Sequence, residues 1–208
     1  LSHPAEDYFA QDAGSIRDPE GRLIVPTVVE LAISEGEGFY PYKWPKLTST
    51  AVLDKYSYVR HFPQWKLVIG SGVYLDEIER EVAEKKQKAL SELRQVFSQI
   101  NIANKGYLFV FAPNADMLIH PNPNINGTNF GNLLNPVTGN PIVTDLISVA
   151  DTDREAFYKW DTPDDPGNYR YEKLSLVRYI PGFDWYISSS VYLDDLQSSS
   201  ELLSTRII

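Results

Sequence analysis

The chain contains two copies of one design. Residues Lys55–Ile78 (KYSYVRHFPQWKLVIGSGVYLDEI) recur as Lys173–Leu196 (KLSLVRYIPGFDWYISSSVYLDDL), every pair 118 positions apart and without a gap. The echo extends upstream. Leu1-Ser-His-Pro4 is answered by Leu118-Ile-His-Pro121, Asp18-Pro-Glu-Gly21 by Asn135-Pro-Val-Thr-Gly139, and Gly38–Trp44 by Ala156–Trp160. This period exceeds the roughly 20–50 residues of solenoid repeats and suits a duplicated domain of about 100–150 residues. The second copy is preceded by a long helical stretch and a strand pair, whereas the first opens on its own Leu-x-His-Pro. The expectation is one complete unit preceded by the C-terminal half of another. Residues 1–75 form that half, 76–105 a long linking helix, and 106–208 the second unit, which takes the helix as its N-terminal element.

Periodicity supplies the elements. Leu23–Ser34 carries helical apolar spacing at Ile24, Val28, Leu31 and Ala32, and Gly36 and Gly38 end it before an aromatic strand at Phe39–Trp44. Tyr56–Phe62 and Trp65–Tyr74 read as strands joined at Pro63-Gln64, matched by Pro181-Gly182 in the second copy. From Asp76 to Asn104 apolar residues recur every three or four positions among Glu, Lys and Gln, predicting an amphipathic helix of some eight turns capped by Asp76. Its expected role is to pack on a sheet and link the units, with a homodimer seam as the alternative. Tyr107, Phe109 and Phe111 should face one way and Leu108 and Val110 the other, in a hairpin returning at Met117–His120. Then follow a loop at 121–139, a short helix at Pro141–Ala150, and strands at Ala156–Trp160, Tyr171–Ile180 and Asp184–Leu193. The fold class is α+β: an antiparallel sheet of about five strands, one face under the long helix and the other roofed by loops.

Composition narrows the function. A net charge of −9 argues against binding a nucleic-acid backbone, which rests on clustered Lys and Arg, but permits a small anion held by one local cation. The chain has no cysteine, so thiol catalysis, disulfides and thiolate metal sites are excluded. No apolar run approaches the ~20 residues of a spanning helix, and no signal-peptide pattern is present.

The ordered motifs resemble the Cache domain family, PAS-like sensory modules on the outer side of bacterial receptors, and in particular a tandem Cache of type 2-like pattern. The residues that carry the likeness are Gly36-Glu-Gly-Phe-Tyr-Pro-Tyr-Lys-Trp-Pro-Lys46, Lys55–Arg60 and Trp65–Ile78, with the second copies at Ala156–Trp160, Lys173–Arg178 and Trp185–Leu196. The resemblance implies an extracytoplasmic (periplasmic) sensor portion of a transmembrane chemoreceptor or histidine kinase, bound to the membrane only through flanking helices outside this chain. It implies a small organic anion such as a short carboxylate as ligand. The second copy departs from the pattern at Ser188, Ser190 and Leu176.

Candidate ligand-binding residues follow from side-chain chemistry. His3 and His120, in the two Leu-x-His-Pro motifs, can donate to a carboxylate or instead bond loop carbonyls. Tyr42 and Trp44, with Tyr158 and Trp160, offer an aromatic wall or plain core packing. Lys55 and Lys173 share their strands with Arg60 and Arg178, but the odd separation puts each pair on opposite faces, so at most one member enters a given pocket. Tyr58 lies on the Arg60 face and Tyr171 on the Lys173 face. Asn129 offers an amide, or is a turn residue. No catalytic or metal-ligating constellation is expected: there is no phosphate-binding glycine loop, nucleophile elbow or His-Glu-x-x-His, and Asp151–Glu155 lacks the spacing of a calcium loop. No cofactor is expected. The competing reading is a structural or dimerisation module whose pockets are closed by their own side chains.

Overall fold

A computed structural model describes residues 12–46, 51–162 and 164–197. They form two compact units divided between Lys85 and Lys86.

In unit 1, helix α1 (Val25–Glu35) starts with Pro26 in its first turn, where a missing N–H costs nothing, and stops at Gly36, whose φ of 84° suits glycine. Strands β1 (Glu37–Pro45), β2 (Val52–Phe62) and β3 (Leu67–Tyr74) make an antiparallel sheet in that order. The β2–β3 turn is a 3-10 turn at Pro63–Trp65 that closes with Lys66 at φ 52°. Its counterpart Asp184 has φ 57°, so both copies put a non-glycine residue at the left-handed position that closes the turn. Ile16, Ile24, Trp44 and Tyr74 form the small core.

Helix α2 (Leu75–Phe97) follows directly. It is two turns shorter than the periodicity predicted. Ile102 pairs with Gly106 and Ala103 adopts φ 50°, so the 98–104 stretch turns the chain into the next strand instead of extending the helix. Asp76 lies within the first turn, not at the cap, and pairs with Lys46 at 2.7 Å.

Unit 2 holds a five-stranded antiparallel sheet made of β4 (Tyr107–Phe111), β5 (Met117–Ile119), β6 (Ala156–Trp160), β7 (Tyr171–Ile180) and β8 (Trp185–Tyr192), in the order β5-β4-β8-β7-β6. The central strand is therefore β8, and β7, which carries Lys173, lies one place from the edge. Strand alternation sorts the faces as expected. Val110, Trp185 and Ile187 turn to one side, where Ala89, Leu90, Leu93 and Phe97 of α2 cover them. Phe109, Phe111, Tyr158, Trp160 and Val177 turn to the other and meet α3 (Ile142–Ser148) and the 121–139 loop through Phe130, Ile142 and Leu146. A carboxylate organises that roof: Asp145 accepts from Asn135, Thr138 and Asn140, while fully buried Asn135 also donates to the Phe157 carbonyl. Residues 193–197 begin a further helix.

Candidate ligand-binding site

The site forms where three strands of unit 2 meet one cation. In register, Lys173 of β7 stands opposite Tyr158 of β6 and Tyr192 of β8. Its side chain is 1% exposed, and its ammonium is ringed by five aromatic side chains: Tyr107 at 3.6 Å from ring centre, Tyr192 at 5.1 Å, Phe109 at 5.5 Å, Trp160 at 5.7 Å and Tyr158 at 5.9 Å. Ring quadrupoles attract a cation, by about 2 kcal/mol or more when desolvated. Among the described residues the ammonium has no hydrogen-bond or ion-pair partner. Burial accordingly holds the Lys173 amine well below the usual lysine range, with distant Asp161 opposing only partly.

Lys173, His120 and Trp160 line one pocket with Tyr158, Met117 and Phe130, and Phe109, Ile142 and Leu146 complete the wall; about 200 Å³ of empty space lies among them, no part of it wide enough to seat a water molecule. The wall is apolar apart from these donors. Trp160 Nε1 and, on the same sheet face, Ser188 Oγ are buried without a hydrogen-bond partner. Such orphans are rare and call for explanation. Asp161 lines a neighbouring crevice of about 180 Å³ with Tyr107, Tyr192 and Asn122, while its carboxylate accepts from the Gly167 amide.

His120 is fixed rather than available. Its Nδ1 accepts from the Asn122 amide at 3.0 Å, so the neutral ring carries its proton on Nε2, 2.9 Å from the Tyr107 hydroxyl. Burial, and then the neighbouring Lys173, push its pKa down to about 3. Tyr107 thus receives a hydrogen bond from His120, and its hydroxyl also bonds that of Tyr192. Tyr158 bonds Ser175 at 2.8 Å, and burial drives its phenol far above the usual range. Tyr192 donates to the Asp161 carbonyl at 2.6 Å, and burial lifts its pKa to about 12.

Three expected residues of this unit are directed elsewhere. Arg178 lies on the opposite face of β7, as its parity requires, and donates to the Thr152 and Val177 carbonyls. Asn129 is a turn residue, bonded to the Asn114 carbonyl, Asp116 and the Gly131 amide. Tyr171 donates to Asp165 in the 161–168 loop. Sequence reasoning passed over Tyr107, Phe109, Tyr192, Met117 and Phe130. The alternation in β4 and the repeated Val-Tyr-Leu were the available signals for the first three.

Unit 1 repeats part of the scaffold. Lys55 stands opposite Tyr42 in β1 and Tyr74 in β3, Tyr42 bonds Ser57 at 2.9 Å, and Tyr74 donates to the Pro45 carbonyl. Each contact matches one in unit 2. Lys55 is only half-buried, with its ammonium 5.1 Å from the Tyr74 ring centre, and burial lowers its pKa. Trp44 is core. Tyr58 and Arg60 both engage Glu37, at 2.6 and 3.6 Å, on an exposed edge. His3 lies outside the described residues.

A family model described as Cache domain matches residues 1–197.

The chain belongs to the Cache domain family.

Among curated relatives, this Cache chain is 38% identical over 84 residues (40% of its length) to the methyl-accepting chemotaxis protein McpP of Pseudomonas putida. It is 30% identical over 79 residues (38% of its length) to the sensor histidine kinase MctS of Rhizobium johnstonii. The matched stretches are only 15% and 17% of those two proteins. A solved Cache chemosensory domain studied for carboxylic acid recognition is 37% identical, covering 36% of this chain and 52% of its own, with a TM-score of 0.34.

Proposed function

We propose that this Cache domain is the extracytoplasmic sensor portion of a membrane receptor and that unit 2 binds one short monocarboxylate, its carboxylate on Lys173. The observation that carries the reading is the buried ammonium with rings around it and, among the described residues, no ion-paired or hydrogen-bonded anion, Asp161 acting on it only through space. Removing an ion from water costs several kcal/mol, more than ring contacts return. A carboxylate guest supplies the missing charge partner, and the orphaned Trp160 N–H offers it a further donor. Met117, Phe130, Ile142 and Leu146 suit a short aliphatic tail. The same wall carries no carboxylate that would select an ammonium group. The guest is bound, not transformed, and its arrival favours one arrangement of the roof loops and the helix that begins at 193. The relatives McpP and MctS, a chemotaxis protein and a sensor kinase, support the receptor setting. No helix among the described residues is long and apolar enough to cross a membrane, so anchoring is assigned to segments outside this chain.

Isothermal titration with acetate, propionate, butyrate, pyruvate, succinate and alanine tests this. The expected result is one saturable site for a monocarboxylate, with weaker or absent binding of succinate and alanine. Silence from folded protein across the panel refutes it.

Two observations favour a second reading, a dimerising structural module: the narrowness of the pocket, and the exposed Ile78 and Val82, one turn apart on α2. A tight dimer in sedimentation together with no binding in the titration selects that reading.

A further inference from the structure

One position differs between the two copies in a way that changes the path open to the lysine. In unit 1, Lys55 pairs with Tyr74 and Ser57 with Gly72; the same register in unit 2 sets Lys173 against Tyr192 and Ser175 against Ser190. Gly72 is therefore the counterpart of Ser190. A Cβ added at Gly72 would stand 2.5 Å from Lys55 Cε and as close to Ser57 Oγ. That is far inside the ~3.5–4 Å of an ordinary carbon contact. Lys55 thus lies along the sheet, over a bare glycine. Lys173 is denied that path, because Ser190 puts a Cβ in it. Ser190 is buried on the central strand, faces Tyr107 across the β4–β8 pairing, and donates from Oγ to the Tyr107 carbonyl at 3.2 Å. The Lys173 ammonium stands instead against the Tyr107 ring.

We propose that Ser190 is a positioning residue of the carboxylate site: its Cβ props the Lys173 chain off the sheet and holds the ammonium against Tyr107, facing the pocket. The inference rests on the reading of Lys173 as the anion's partner and adds what fixes the lysine's aim. A lysine ammonium rides on a flexible stem, so a site built on one needs a stop that limits where the charge can go. The role belongs to the Cβ, the atom with which the path of Lys55 collides. The hydroxyl is already committed to the Tyr107 carbonyl, in the strand that carries the ring. Unit 1 shows the alternative placement: over Gly72 the lysine is only half-buried.

Carbon–proton NMR spectra of the ligand-free chain, with propionate titrations beside them, test it on Ser190→Gly and Ser190→Ala. The Lys173 ε-methylene is the signal missing from Lys173→Met, and protons over a ring face resonate upfield. Ser190→Gly should move that signal towards the ordinary lysine position, whereas Ser190→Ala, which keeps the Cβ, should leave it upfield. Propionate affinity should fall in Ser190→Gly by about tenfold or more, as when a hydrogen bond to a charged group is weakened, and hold in Ser190→Ala. A signal that stays upfield in Ser190→Gly overturns the proposal. So does one displaced equally in Ser190→Ala, since the hydroxyl is then the agent. The methylene signal is read without ligand, so it decides the placement even where the unaltered protein binds no carboxylate, a result that contradicts the monocarboxylate reading alone. If Ser190→Gly does not fold, Gly72→Ser applies the same rule in reverse: the Lys55 ε-methylene, assigned with Lys55→Met, must shift, and an unchanged signal overturns the proposal.

Discussion

The Lys173 ammonium stands 3.6 Å from the centre of the Tyr107 ring, a cation placed against a π face at the floor of an apolar pocket. That contact softens the burial of the charge without neutralising it. On the proposed reading, one carboxylate would supply the missing charge.

Proton linkage follows. Burial holds the Lys173 amine well below its usual 10.5, and the proposed carboxylate would raise it again. Between the two values the anion enters together with a proton, and its apparent affinity falls as pH rises. Titrations with propionate at one pH in buffers of different ionisation enthalpy should show net proton uptake on binding. No uptake at any pH below 10.5 contradicts a depressed lysine.

Acid stability carries the signature of His120. Its pKa is about 3 in the folded chain against 6.5 when free, so the unfolded chain binds more protons between these values. Stability attributable to this residue is fully present above pH 6.5 and is lost as pH falls towards 3. Urea midpoints measured from pH 7 to pH 4 should decline, and His120→Gln should decline less steeply over the same range.

On the proposed reading, the far wall sets the length of the ligand's tail. Ile142→Val removes one buried methylene from the pocket lining and should cost about 0.5–1.5 kcal/mol of stability. It should also shift relative affinity towards the acid longer by one carbon, by about fourfold, the worth of one CH₂ group. Competition between propionate and butyrate measures the ratio. An unchanged ratio places the tail elsewhere.

The roof depends on Asp145. Burial raises its carboxyl, but donors on Thr138, Asn135 and Asn140 outweigh this and hold it below the usual range. Its contribution is present above about pH 3.8 and lost below. Asp145→Ala strands one N–H of the fully buried Asn135 amide, the other still held by the Phe157 carbonyl, and should cost about 1–3 kcal/mol, read from denaturant unfolding at pH 7. Ligand affinity should weaken with it.

How far the sequence could be read depended on what each signal specifies. The repeat predicted strand pairs, faces and the α+β layering, because side-chain alternation has period two and each copy tests the other. Parity separated Lys173 from Arg178 before any coordinates. It could not say which residues of one face converge, because that is decided by register across strands: Lys173 meets Tyr158 and Tyr192 only through the β6–β7 and β7–β8 pairings. Tyr107 was legible as a sheet residue but not as the ring beneath the ammonium. Asn129, Arg60 and Tyr58 were chosen for chemistry alone, and local carbonyl and carboxylate partners claim them. The helix end at Phe97 was missed because Ile100 and Ile102 continue the apolar spacing while the backbone turns.

Titrating propionate into Lys173→Met beside the unaltered protein tests the central claim most directly. An apolar side chain of similar length removes the buried charge without leaving a cavity, so folding stability should hold or rise. Binding is predicted to fall by at least about a hundredfold, the loss of a charge-assisted contact worth about 3 kcal/mol. A folded Lys173→Met protein that binds with unchanged affinity contradicts the account.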